Sequence, residues 1–91
     1  MEANKQYKVK SCVQLRKTNL EGLVFDSEKN KMHILNLTAF DVLELLNEDK
    51  SINDIAILMQ EKYEVDFIRI KNDIYNIVEE FEKLGLILSM S

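Results

Sequence analysis

The stretch Lys29-Asn30-Lys31-Met32-His33-Ile34-Leu35-Asn36-Leu37-Thr38-Ala39-Phe40 (KNKMHILNLTAF) contains the change of periodicity on which the fold turns. A polar turn leads into a short apolar strand, Met32 to Leu35. Asn36-Leu37-Thr38 then opens a helix. The strand holds no Pro, and no Asp, Glu, Lys or Arg lies between Met32 and Leu37. Strands at sheet edges usually carry one of these guards against further pairing.

Upstream of this stretch the pattern is that of strands. Between Tyr7 and Arg16, apolar Tyr7, Val9, Val13 and Leu15 alternate with Lys8, Lys10, Gln14 and Arg16, the period of two of a half-buried strand. Thr18 to Gly22 form a connection, Leu23-Val24-Phe25 a second strand, and Asp26 to Asn30 a turn. Met32 to Leu35 is then the third strand. Connections this short favour a three-stranded antiparallel meander.

Downstream the pattern is helical. Thr38 is expected as the N-cap of a first helix, with Asp41 as the acid of a capping-box variant. Ser51 with Asp54 repeats the signal for a second helix ending near Tyr63. Asp66 is placed to cap a last helix that reaches Leu84, with Gly85 at the left-handed C-terminal position. Leu86-Ile87-Leu88 is expected to pack back on the body. Residues 1–6 are expected as a flexible N-terminus, 7–88 as the domain and 89–91 as a tail. The predicted class is α+β, a winged helix-turn-helix-like domain: a three-stranded antiparallel sheet followed by three helices.

Composition limits the functions available. The 91 residues suit one small domain, 46% apolar and 31% charged, with a formal net charge of -4. Phosphate backbones select for clustered Lys and Arg, which this balance does not offer. A single cysteine, Cys12, excludes an internal disulfide framework and a Cys-rich zinc site, and reads as a small strand residue. The polar start, Met1 to Gln6, is not expected to act as a signal peptide, and no apolar run approaches the ~18 residues of a membrane span. A cytoplasmic protein with no membrane partner is expected.

On a helical wheel of about 100° per residue, Ile70, Ile74, Ile77, Phe81 and Leu84 form the seam of the last helix. One flank adds Phe67, Lys71, Tyr75, Val78 and Glu82; the other is charged or amide throughout. The apolar arc is thus wider than one core contact requires. The extra residues either pack on the sheet or the first helix, or wall a groove. In a winged helix this element would read DNA. Here Asp66, Asp73, Glu79, Glu80 and Glu82 outnumber Arg69, Lys71 and Lys83, and a phosphate backbone would repel it.

Candidate chemistry is sparse. His33 is the only histidine, with no triad-like or metal-ligating spacing around it. There is no glycine-rich phosphate loop and no nucleophile elbow. The chain is expected not to be an enzyme and to need no metal or cofactor of its own. Binding remains, and the unguarded third strand is the feature that fits it. An extended peptide would join as an extra strand. The N-terminal arm or a second copy would cover the same edge, and the residues alone weigh these equally.

Several motifs together resemble the PqqD family. They are Leu35-Asn36-x-Thr38, Ser51-Ile52-x-Asp54-Ile55, Tyr63-x-Val65-Asp66, Asp73-Ile74 and Leu84-Gly85-Leu86-Ile87. The resemblance spans about Cys12 to Leu88. Asp26…Met32-x-x-Leu35-Asn36 and Ala39-x-x-Val42 look equally like the leader-binding proteins of lasso-peptide clusters. The chain departs from the family where a glycine often follows the first helix and Asn47-Glu48-Asp49-Lys50 stands instead.

The resemblance implies a peptide chaperone of pyrroloquinoline quinone biosynthesis or a related recognition element for ribosomally made, modified peptides. It implies a precursor leader peptide as partner, joined to the third strand at Lys31, Met32, His33, Ile34 and Leu35. Phe67, Lys71, Ile74, Tyr75, Val78 and Glu82 would be the facing wall. The implied second partner is a leader peptidase and cyclase, or a radical S-adenosylmethionine enzyme that keeps its own clusters. Nucleic acid is not expected as a partner, and the state expected is monomer or weak dimer. The alternatives are a winged-helix DNA-binding regulator and a strand-mediated dimerisation module.

Overall fold

The computed structural model describes residues 6–90, so most of the expected flexible N-terminus (1–5) and Ser91 lie outside the described residues. The elements are β1 (Gln6–Val9), β2 (Val13–Lys17), β3 (Gly22–Asp26), β4 (Lys31–Leu35), α1 (Leu37–Asn47), α2 (Ile52–Tyr63), α3 (Phe67–Lys83) and β5 (Ile87–Met90). Strands β2, β3 and β4 form an antiparallel meander in that order. The three helices follow it. This is the α+β winged helix-turn-helix plan, with one addition: β1 and β5 form a second, two-stranded antiparallel sheet.

That addition corrects the reading of Tyr7 to Arg16 as one strand. The chain turns at Ser11-Cys12, where Val13 N–H donates to the Lys10 carbonyl at 3.0 Å. An unbroken strand would have put Ser11 on the apolar face between Val9 and Val13. The break lets β1 pair with the C-terminus instead, Tyr7 opposite Ser89 and Val9 opposite Ile87. Tyr7 and Val9 enter the core, whereas Val13 and Leu15 are only half-buried. Cys12 is therefore a turn residue, its thiol 3.6 Å from Asp26 Oδ1. The expected apolar tail is a strand that runs to Met90, and Gln6 already belongs to β1.

The helices start where short polar side chains satisfy free N–H groups. Asn36, not Thr38, caps α1: its side-chain oxygen accepts from Ala39 N–H at 2.8 Å. Thr38 lies inside the helix, and Asp41 is turned into the protein. Ser51 accepts from Asp54 N–H at 3.2 Å and Asp66 from Arg69 N–H at 3.2 Å, as the sequence predicts. Helix α3 ends in a Schellman motif: Leu86 N–H donates to Phe81 O and Gly85 N–H to Glu82 O, each at 3.0 Å, with Gly85 at φ +74°. Helix α1 ends the same way, through Lys50 N–H to Leu45 O at 3.1 Å and Asp49 N–H to Leu46 O at 3.0 Å. Asp49 occupies the glycine position there, at φ +65°.

The core is continuous from the sheets through the helices. It includes Tyr7, Val24, Phe40, Leu43, Leu46, Ile55, Ile74, Val78, Phe81 and Leu86. Helix α1 packs on β1, β3, β4, α2 and α3 and so sits at the centre. The buried line of α3 is Ile70, Ile74, Val78 and Phe81. It lies about 40° round the helix from the expected seam. Ile77 and Leu84 are half-buried, and Val78 belongs to the core rather than to a flanking wall.

Candidate functional site

The meander leaves β4 at an edge, and the hydrogen-bond register decides what that edge presents. In the hairpin of β2 and β3, Thr18 N–H donates to Glu21 O at 2.9 Å and Ser27 N–H to Cys12 O at 3.0 Å. Bonded and non-bonded pairs alternate along an antiparallel ladder. Between those two bonds, Leu23 and Phe25 of β3 therefore bond towards β2, opposite Arg16 and Gln14. Gly22, Val24 and Asp26 bond towards β4, opposite Leu35, His33 and Lys31. The N–H and C=O groups of Met32 and Ile34 consequently point out of the sheet, at the free edge. These are four backbone groups without a ladder partner among the described residues.

The pleat separates the same five residues by face. His33 lies opposite Val24, which is 0% exposed, so Lys31, His33 and Leu35 share the side covered by the helices. Met32 and Ile34, 53% and 65% exposed, lie on the other side with Leu23, Phe25, Gln14 and Arg16. A cavity of about 420 Å³ on that side is lined by Gln14, Leu15, Arg16, Leu23, Phe25 and Met32. Sequence periodicity missed this outer face, because Leu23-Val24-Phe25 is apolar on both sides.

The His33 ring is half-buried, and its Nε2 is fully buried with no hydrogen-bond partner among the described residues. A buried polar atom left unpaired is destabilising by about 1–3 kcal/mol.

The α3 residues named from the sequence divide in the same way. Phe67, Lys71 and Tyr75 form a half-buried stripe, and the Lys71 ammonium lies 5.6 Å from the Phe67 ring centre. Ile74 and Val78 are completely buried and support the stripe from beneath. Glu82 is exposed and lies near Tyr7 of β1. Burial, with the Glu82 carboxylate and the Tyr75 phenol close by, pushes the Tyr7 phenol above its ordinary pKa. β4 and α3 both pack on α1, which joins them from below. At one end the turn before β4 reaches the end of α3, where Lys29 Nζ donates to the Leu84 carbonyl at 3.2 Å. An ammonium suits a helix C-terminus.

A second polar cluster was absent from the sequence reading. Asp41 of α1, almost buried, accepts from Lys62 Nζ at 2.6 Å, Tyr63 Oη at 3.0 Å and Lys17 Nζ at 3.2 Å. Burial pushes its carboxyl up, but the hydrogen bonds from Lys62, Tyr63 and Lys17 outweigh burial and hold it below the usual carboxylate range. The Lys62 ammonium is raised in return, first by its bond to Asp41. The cluster ties β2, α1 and α2 together. Its spacing of 24 and 21 residues leaves no local sequence signal. Among the described residues, no three His, Cys, Asp or Glu side chains group as a metal site, and no helix is long and apolar enough to cross a membrane.

Two solved structures resemble the chain closely. One is described as lasso peptide synthetase B1 complexed with the leader peptide, with a TM-score of 0.81 at 22% identity over 91% of this chain and 98% of that one. The other, TbiB1 in complex with the TbiA(beta) leader peptide, has a TM-score of 0.81 at 18% identity over 88% and 93%. At these identities the likeness is one of fold. No curated protein sequence matches the chain. The sequence pattern of coenzyme PQQ synthesis protein D matches residues 21–87, from just before β3 to the start of β5, and the chain belongs to the PqqD family.

Proposed function

We propose that this protein is a non-catalytic recognition domain for a ribosomally made precursor peptide. The leader segment adds as a strand to β4 and packs against α3. The domain then delivers the core to a modifying enzyme in the cytoplasm, either a leader peptidase and cyclase or a radical S-adenosylmethionine enzyme. The observation that carries this reading is the edge of β4. Met32 and Ile34 hold their backbone groups outwards on a strand without Pro or a central charge, beside an apolar outer face. Family membership and the leader complexes of the two similar structures support it.

The DNA-reading alternative is disfavoured by charge. Residues 36–91 hold twelve acidic and five basic side chains, and α3 is acidic. The test is titration of the labelled protein with the precursor peptide encoded beside its gene, followed by amide chemical shifts. The largest changes are expected at Met32, Ile34 and the Phe67–Tyr75 stripe. Changes confined to α2 or β5 would sink the reading. A concentration-dependent mass with symmetric β4 pairing would favour the dimerisation module instead.

A further inference from the structure

We propose that the outer face of the meander reads the peptide: the two residues that pair with Ile34 and Met32 are apolar, and the next, beside Lys31, is acidic. The inference rests on the strand-addition reading above and deepens it by naming the class of peptide.

Register fixes which peptide side chains meet which face. An antiparallel strand, the more stable partner for an edge, exchanges hydrogen bonds with Met32 and Ile34, whose N–H and C=O groups point outwards. Side chains of directly paired residues lie on one face of a sheet. The peptide residues opposite Ile34 and Met32 therefore fall on the outer face. There they extend two existing rows, Arg16–Leu23–Ile34 and Gln14–Phe25–Met32.

These rows are open and apolar at the edge. Met32 and Ile34 are largely exposed, and Leu23 and Phe25 behind them are half-buried. The outer cavity opens beside Phe25 and Met32. An apolar peptide side chain laid here takes apolar surface of both partners out of water. A charged or amide side chain would give up hydration over the same surface with nothing to bond.

Lys31 supplies the charge. It is exposed and forms no ion pair among the described residues. Asp26, its neighbour on β3, is buried and already accepts from Glu28 N–H and Lys29 N–H. Lys31 bonds towards β3, so the peptide residue beside it forms a non-bonded pair, with Cα atoms about 4.5 Å apart. An aspartate or glutamate there meets the ammonium. Exposed ion pairs are weak, so the acid sets a preference and the apolar pair supplies more of the affinity. Read from its N-terminal side, the antiparallel peptide carries apolar, any, apolar, acidic.

The test is selection of phage-displayed random dodecapeptides on wild type, Ile34→Lys and Lys31→Glu, with folding checked by circular dichroism. Both side chains are exposed, so both variants are expected to fold. Wild type should enrich the four-residue pattern. Ile34→Lys should change the first apolar position to Asp or Glu and weaken the wild-type consensus peptide about tenfold by fluorescence anisotropy. Lys31→Glu should exchange the acid for Lys or Arg, with a loss of about two- to fivefold. Polar residues at both outer positions, or a consensus unchanged in Ile34→Lys, overturns the apolar code and leaves strand addition intact. A consensus unchanged in Lys31→Glu overturns the acidic position, and an acid ahead of the apolar pair overturns the antiparallel order. Peptides that shift no amide of β4, or no enrichment at all, overturn strand addition as well.

Discussion

Several single residues hold conformations or contacts that their neighbours require. Asp49 sits at φ +65°, in the left-handed region, at the end of α1. Glycine adopts that region without strain, and here an aspartate supplies the Schellman geometry instead. Asp49→Gly should therefore stabilise the fold by about 0.5–1 kcal/mol and raise Tm by a few degrees in a thermal melt. The gain is limited because glycine also loosens the unfolded chain.

Gly22 poses the opposite constraint. A Cβ there would come within 2.1 Å of the Phe40 ring, on the buried face of β3. Gly22→Ala should destabilise by at least about 2–3 kcal/mol by urea unfolding, and pairing it with Phe40→Leu should recover part of the loss. The glycine is needed for space, so its place in a strand is no sign of a bulge.

At the scale of the element, β4 carries two sets of backbone groups with different duties. His33 bonds to β3, whereas Ile34 presents its N–H to the free edge. Proline at the two positions should separate them. Ile34→Pro is expected to keep the thermal transition and to lower peptide affinity at least about tenfold by fluorescence anisotropy. His33→Pro removes a ladder bond and should unfold the hairpin of β3 and β4. Equal affinity of Ile34→Pro and wild type would count against strand addition.

Much of each element was legible in the residues around it. The caps at Ser51, Asp66 and Gly85 could be read because capping is a contact between near neighbours. The α1 cap was misassigned by two residues, because Asn36 and Thr38 both suit the role and only the chain's entry angle chooses between them. The β1–β5 pairing was invisible, since its partners lie about eighty residues apart. The β4 edge was expected from loop lengths, but the outward direction of the Met32 and Ile34 groups needed the register.

For the whole molecule, the charges divide unevenly. Residues 1–35 hold seven basic and four acidic side chains, against five and twelve in 36–91. The strand half is thus basic and the helical half acidic, and the Asp41 cluster crosses the divide, joining Lys17 of β2 to Lys62 and Tyr63 of α2. Because the Asp41 carboxyl titrates below its unfolded value, its contribution is complete above the ordinary Asp pKa of about 3.9. It is lost as pH falls through the lower folded value. Asp26 acts in the same sense: burial raises its carboxyl, but bonds from Lys29, Cys12 and Glu28 more than offset this. Urea midpoints should therefore fall below about pH 4. Asp41→Asn should reduce stability at pH 7 by about 1–2 kcal/mol and flatten that acid limb. The figure is modest because the lysine partners are half exposed to solvent. An unchanged acid limb would show that the cluster adds nothing to folding.

The sequence alone determined that a three-stranded meander leads into three helices, the N-caps of α2 and α3 and the glycine end of α3, the unguarded β4 and the acidic α3. Each of these depends on periodicity, local hydrogen bonding or formal charge, which adjacent residues specify. Tertiary structure decided the rest: which face of α3 is buried, how β1 finds β5, where the Asp41 carboxylate meets its lysines, and that His33 turns an unpaired nitrogen inwards while Met32 and Ile34 turn their backbones out. Those outcomes depend on residues brought together from distant parts of the chain, and only packing brings them within reach.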